Sequence, residues 1–170
     1  MLLYILLIAV ILFLLLLLSM VWPPDSPWAP WWRTSEKVAK AMCKLANIKN
    51  SDVIYDLGSG EGIALFVAAK DFGAKGIGIE IDPIRYWYSK ILKYFKNENK
   101  VNFIRGNIFD KDLSKASVIF VYLVPKTLDK LLPKFKKELK KGTRIVSFRY
   151  EVNMPLKSID KKNNLRLYVI

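Results

Sequence analysis

Two acidic side chains and a run of alternating glycines carry most of the chemistry this sequence can offer. Asp56-Leu57-Gly58-Ser59-Gly60-Glu61-Gly62 follows a short apolar stretch, and Glu80 lies 24 residues beyond Asp56. Glycines at alternate positions let the backbone turn sharply and let a ligand approach with no Cβ in the way. A helix after such a turn offers free amide hydrogens at its start. An ionised carboxylate only accepts hydrogen bonds, and one placed about 20 residues past the turn suits the two adjacent hydroxyls of a ribose. The spacing here is G-x-G-x-G, not the G-x-G-x-x-G of a dinucleotide turn, so no diphosphate needs cradling. The chain has no His and a single Cys, Cys43. That excludes Ser-His-Asp and Cys-His catalytic units, an internal disulfide framework and zinc sites of the usual kind, and no metal is expected.

These residues need elements to hold them, and residues 34–170 supply a regular alternation. Val38, Met42 and Leu45 recur at helical spacing behind Thr34 or Ser35 as N-cap. Residues 53–57 read as a buried strand, 58–62 as a tight turn and 63–72 as an Ala-rich helix closed by Gly73. A second strand covers 76–81, after which Pro83 opens a helix to about residue 95. Further strands are expected at 101–105, 118–123 and 143–148, with a helix at 127–139 and a last strand at 165–170. Strands separated by helices of 10–15 residues imply βαβ units and a parallel sheet with helices on both faces. Near-continuous apolar strands agree with that reading.

The turn Asp56-x-Gly58-x-Gly60-x-Gly62, with an acid ending the second strand, resembles motif I of the seven-strand (class I) S-adenosylmethionine-dependent methyltransferases. The soluble part, from about residue 31 to 170, resembles a narrower group. These are the small protein lysine methyltransferases: the mitochondrial enzymes acting on the ADP/ATP carrier and the ATP synthase c-subunit, with their archaeal and bacterial relatives. The likeness rests on Thr34-Ser35-Glu36-Lys37 after an aromatic stretch, the glycine turn, Gly78-Ile79-Glu80-Ile81, Gly106-Asn107-Ile108-Phe109, Tyr122-Leu123 and Lys140-Lys141-Gly142-Thr143-Arg144-Ile145-Val146-Ser147. Arg33 departs from it, standing where relatives tend to have Pro, and the segment 151–164 is short.

The resemblance implies a Rossmann-like α/β sheet that binds S-adenosyl-L-methionine. It places Asp56, Gly58, Ser59, Gly60 and Gly62 near the amino-acid end of the cofactor, and Glu80 with Ile81 at the ribose. It makes Asn107 the adenine contact with Ile108 and Phe109 as an apolar wall, although an Asn after a Gly is also an ordinary turn residue. Tyr122, at the end of strand four, would orient an incoming amine, or else serve as a core aromatic. Val121-Tyr122-Leu123-Val124-Pro125 lacks the Asn/Asp/Ser-Pro-Pro-aromatic tetrapeptide of the nucleobase amino methyltransferases. The implied activity is therefore methyl transfer to lysine side chains of proteins. RNA or lipid methylation on the same fold, or cofactor binding without activity, are the alternatives.

The net charge is +13, from 28 Lys and Arg against 15 Asp and Glu, yet 52% of residues are hydrophobic. Residues 2–21 explain the second figure: an apolar run interrupted only by Tyr4 and Ser19. At about 1.5 Å per residue such a helix reaches roughly 30 Å, so one N-terminal transmembrane helix is expected at 1–22. Residues 23–33 read as a Trp/Pro-rich juxtamembrane linker and 34–170 as the methyltransferase domain. Arg33, Lys37, Lys40 and Lys44 follow the run and none precedes it, which predicts a single-pass membrane protein with its catalytic domain cytoplasmic. The expected partners are then a protein substrate at or near the membrane and the lipid bilayer itself, with nucleic acid disfavoured. The lysines of residues 134–141 suit an anionic lipid surface, an RNA, or nothing but water.

Overall fold

A computed structural model describes residues 1–21 and 33–170, the side chains of 19–21 excepted. Seven strands form one sheet in the order β3-β2-β1-β4-β5-β7-β6. They are β1 (Val53–Leu57), β2 (Lys75–Glu80), β3 (Val101–Arg105), β4 (Val118–Val121), β5 (Arg144–Phe148), β6 (Leu156–Asp160) and β7 (Leu165–Val169). The first five pair in parallel, β7 is antiparallel to β5, and β6 is antiparallel to β7.

Each central strand is apolar on both faces, because helices cover both. Val118 and Phe120 of β4 point to one core cluster, while Ile119 and Val121 point to the other. Helices α2 (Glu36–Leu45) and α3 (Ile63–Phe72) fill the first cluster with Ala39, Met42, Leu65 and Ala68, and Tyr86 and Leu92 of α4 (Pro83–Lys96) pack against it. Helix α5 (Pro125–Glu138) fills the second with Leu128, Leu131 and Phe135. Ser35 caps α2, its Oγ accepting from the Val38 amide at 3.3 Å. Asp82 caps α4 ahead of Pro83, accepting from the Arg85 amide at 2.8 Å.

Several boundaries differ from the sequence expectation, and one strand is added. Strand β2 ends at Glu80, so Ile81 lies just past it; β4 ends at Val121, so Tyr122 follows the strand. Helix α5 starts at Pro125, where a missing amide costs nothing. Strand β6, exposed along nearly its whole length, is an addition to the elements read from the sequence.

One larger expectation is overturned. Among the described residues no helix is long and apolar enough to cross a membrane. Helix α1 (Leu2–Val21) forms, but among the described residues it does not meet that requirement. The α/β sheet therefore stands without the transmembrane helix expected before it, and the single-pass membrane localisation loses its basis. The linker expected at 23–33 lies outside the described residues except for Arg33.

Candidate active site

The carboxyl ends of β1 to β5 converge, and every candidate residue lies within a few positions of one of them. After β1, Gly58, Gly60 and Gly62 have φ of +79°, +53° and +78°, a region that side chains with a Cβ rarely adopt. The turn is pinned to the neighbouring strand: the Gly58 and Ser59 amides donate to the Ile79 carbonyl at 2.9 and 3.1 Å. Gly62 then opens α3, and a Cβ there would lie 2.3 Å from the Phe103 ring.

Glu80, only 4% exposed, binds the turn from the other side. Its Oε2 accepts from the Gly60 amide at 2.8 Å and its Oε1 from the Asp82 amide at 2.9 Å. A carboxylate has about four lone-pair sites, so two further donors can be accepted. The Glu80 carbonyl in turn accepts from the Gly106 amide at 2.9 Å, which draws the turn after β3 alongside. Burial raises the Glu80 carboxyl above its usual value, while the two amides and Arg85 oppose that. Burial, and then the Glu80 charge, push the Asp56 carboxyl up to about 7.

Asn107 is exposed, and its side-chain oxygen accepts from the Phe109 amide at 3.1 Å, the local turn role. Ile81 and Ile108 are half-buried. Tyr122 is half-buried beyond the register pair Leu57–Val121, so it stands beside the start of the glycine turn. Leu123 closes that approach, since a Cβ on Gly58 would sit 3.3 Å from its Cδ2. The Tyr122 ring centroid lies 4.5 Å from Phe148 and 6.4 Å from Tyr150. The Arg149 guanidinium lies 5.5 Å from the centre of Tyr122 and 5.4 Å from that of Phe148. Burial raises the Tyr122 hydroxyl above its usual value. The sheet thus brings the Asp56, Ser59 and Glu80 group together with Tyr122 on adjacent strand ends.

Sequence reasoning missed three features. Asp82 and Arg85, both buried, surround Glu80 with charge, and Asp82 was legible as an acid just before a helix-opening proline. Glu61 of the glycine turn pairs with Arg33, tying the stretch before α2 to the site. The Phe148, Arg149 and Tyr150 cluster had no local signal, since it depends on β4 and β5 lying side by side.

Residues 56–156, which span the glycine turn, Glu80, Asn107, Tyr122 and Arg149, match the family model described as the ANTKMT methyltransferase domain. The chain belongs to that family. A protein-lysine N-methyltransferase of Saccharolobus islandicus is 37% identical over 136 residues, covering 78% of this chain and 82% of that one. A lysine N-methyltransferase of the ATP synthase c-subunit, from Xenopus laevis, is 24% identical over 73% of this chain, which spans only 53% of that relative. Among solved structures, an RNA methyltransferase from Salinibacter ruber in complex with S-adenosyl-L-homocysteine superposes with a TM-score of 0.77 and 34% identity. The match covers 82% of this chain and 94% of that one.

This member of the family is an S-adenosylmethionine-dependent methyltransferase. The residues present fit that cofactor, which carries a sulfonium, an ammonium and a ribose diol. Glu80 accepts two amides and has lone pairs to spare for a ribose diol. The Ser59 hydroxyl is buried at the turn with no hydrogen-bond partner among the described residues.

Proposed function

We propose that residues 34–170 form a methyltransferase domain that acts on lysine side chains of proteins. The observation that carries this is the 37% identity to the Saccharolobus islandicus protein-lysine N-methyltransferase over 78% of this chain and 82% of that one. In this reading Glu80 accepts from the ribose hydroxyls with Ile81 beside it, and Asp56, Gly58, Ser59, Gly60 and Gly62 surround the amino-acid end. Asn107 and Ile108 lie at the adenine. Bound S-adenosylmethionine supplies an electrophilic methyl group on a sulfonium.

The protein's own work is then to position a neutral amine and exclude water. Desolvation on entering the cleft favours loss of the lysine proton. Tyr122 keeps its hydroxyl protonated near neutrality, so it orients the amine through its oxygen and does not act as a phenolate base. No side chain is needed as nucleophile, which suits a chain whose sole thiol, Cys43, is buried and pushed up to about 12.

A second reading has its own support. The Salinibacter ruber structure is of an RNA methyltransferase, and this chain carries a net charge of +13. One experiment separates the two: incubate the full chain with cell extract and methyl-labelled cofactor, then treat with nuclease, protease or organic solvent. Label is expected in protein and released by acid hydrolysis as methyllysine. Label that resists protease and leaves with nuclease would move the assignment to RNA.

A further inference from the structure

We propose that the faces of Tyr122 and Phe148, flanked by Tyr150, form a cation seat for the acceptor, and that Arg149 occupies it until the acceptor's ammonium displaces it. The inference rests on the lysine reading above for the identity of the acceptor, though not for the existence of the seat. Cations within about 6 Å of an aromatic centroid are drawn to the ring face. The Arg149 guanidinium meets that condition for two rings at once, at 5.5 and 5.4 Å. Both rings lie at the carboxyl ends of adjacent strands, next to the glycine turn.

Arg149 does not arrive there by side-chain chance. Its φ is +67°, in the left-handed region that strains a residue with a Cβ and clusters at functional sites. The surrounding structure enforces it. The Arg149 amide donates to the Asn164 carbonyl at 2.9 Å, and its carbonyl accepts from Arg166 Nη1 at 3.0 Å. Arg166 is itself fixed by Asn164 Oδ1 at 2.9 Å and by Glu151 at 3.2 Å. Ser147 Oγ donates to the Tyr150 carbonyl at 2.6 Å, which closes the turn on its other side. The strand ends therefore hold the backbone, while the side chain that carries the guanidinium is long and exposed.

A lysine ammonium is a smaller cation of the same charge: it rests on the ring faces as it arrives and gives its proton to solvent only on moving off them to the Tyr122 hydroxyl, while its methylated forms suit an aromatic face better still. Arg149 thus sets a threshold: a cation that cannot displace it does not stay. The residue acts on acceptor binding and does not touch the transferred methyl.

The test uses the full chain with tetramethylammonium as probe, followed by titration calorimetry or saturation-transfer NMR. Arg149→Gly, which keeps the left-handed backbone without strain, is expected to bind the probe roughly two- to tenfold more tightly than wild type. Arg149→Lys restores a resident cation and should return to wild-type affinity. Tyr122→Leu in the Arg149→Gly background should abolish the gain. In turnover, Arg149→Gly should lower KM for a lysine peptide with little change in kcat. Unchanged probe affinity in Arg149→Gly, with label still on lysine, overturns the seat and leaves the lysine reading standing. Tightened probe binding with label on RNA keeps the seat and overturns the lysine reading.

Discussion

Glu80 already accepts two amide hydrogens before any ligand arrives, and this double duty decides what its loss would do. Glu80→Ala removes charge-assisted hydrogen bonds worth about 1.5–3 kcal/mol and also releases the Gly60 amide that shapes the turn. Cofactor affinity measured by calorimetry should fall at least tenfold; an unchanged value would remove Glu80 from the ribose. Asp56 gives a pH signature instead. Its carboxyl rises from 3.8 to about 7 on folding, so the folded chain holds that proton more tightly than the unfolded one. Stability is then greatest at low pH on this account and declines as pH rises from about 4 through about 7. In Asp56→Asn that decline should flatten, so the variant gains most in Tm, relative to wild type, above pH 7. A constant difference between the two Tm curves from pH 4 to 8 would contradict the assignment. The acids themselves were legible from spacing, because a glycine turn and the end of the next strand are local patterns. The Arg149–Tyr122 contact was not, since 27 residues separate its members and only the sheet joins them.

At the scale of elements, Phe103 of β3 holds the site's two layers in register. A Cβ added at Gly78 would lie 2.7 Å from its ring and 2.5 Å from Ser59 Oγ. Gly78→Ala should therefore cost about 1–3 kcal/mol in denaturant unfolding, as over-packing does, although its φ is ordinary for any residue. Pairing it with Phe103→Leu should recover part of the loss, and a purely additive pair would show that the ring is not the obstacle. The five parallel strands were readable because strands buried on both faces appear as apolar runs. Strand β6 was not, because Leu156, Lys157, Ser158 and Ile159 are all exposed and no burial imposes a pattern. Helix α4 was readable as a helix but not in its facing. Tyr86 and Leu92 turn inward, whereas Trp87, Ile91, Tyr94 and Phe95 remain exposed, Trp87 at 61%. Periodicity reports that a helix has two faces; packing alone decides which one is covered.

The whole molecule has two poles that do separate work. At the pole opposite the site, Arg144 at the start of β5 pairs with buried Asp52 and donates to the Ala46 and Asn47 carbonyls behind α2. Ser117 Oγ completes the junction, donating to Asp52 at 2.7 Å and accepting from the Val53 amide at 2.9 Å. Arg144→Met leaves Asp52 buried without its cation, which costs about 3–5 kcal/mol where a buried pair is broken. Tm should drop, while cofactor affinity of the folded fraction stays at the wild-type value; a parallel loss of affinity would mean that the poles are coupled. The sheet order has a last consequence, for the chain while it is being made. Synthesis delivers β5, then β6, then β7, yet β6 has no neighbour until β7 lies against β5. A nascent chain that has emerged through residue 160 therefore presents β5, with Ile145, Val146 and Phe148, as an open edge of unpaired N–H and C=O groups. Only when residues 165–169 insert antiparallel does that edge close. The moment of greatest danger from aggregation thus falls between the delivery of β5 and that of β7, on a strand that the finished protein keeps inside the sheet.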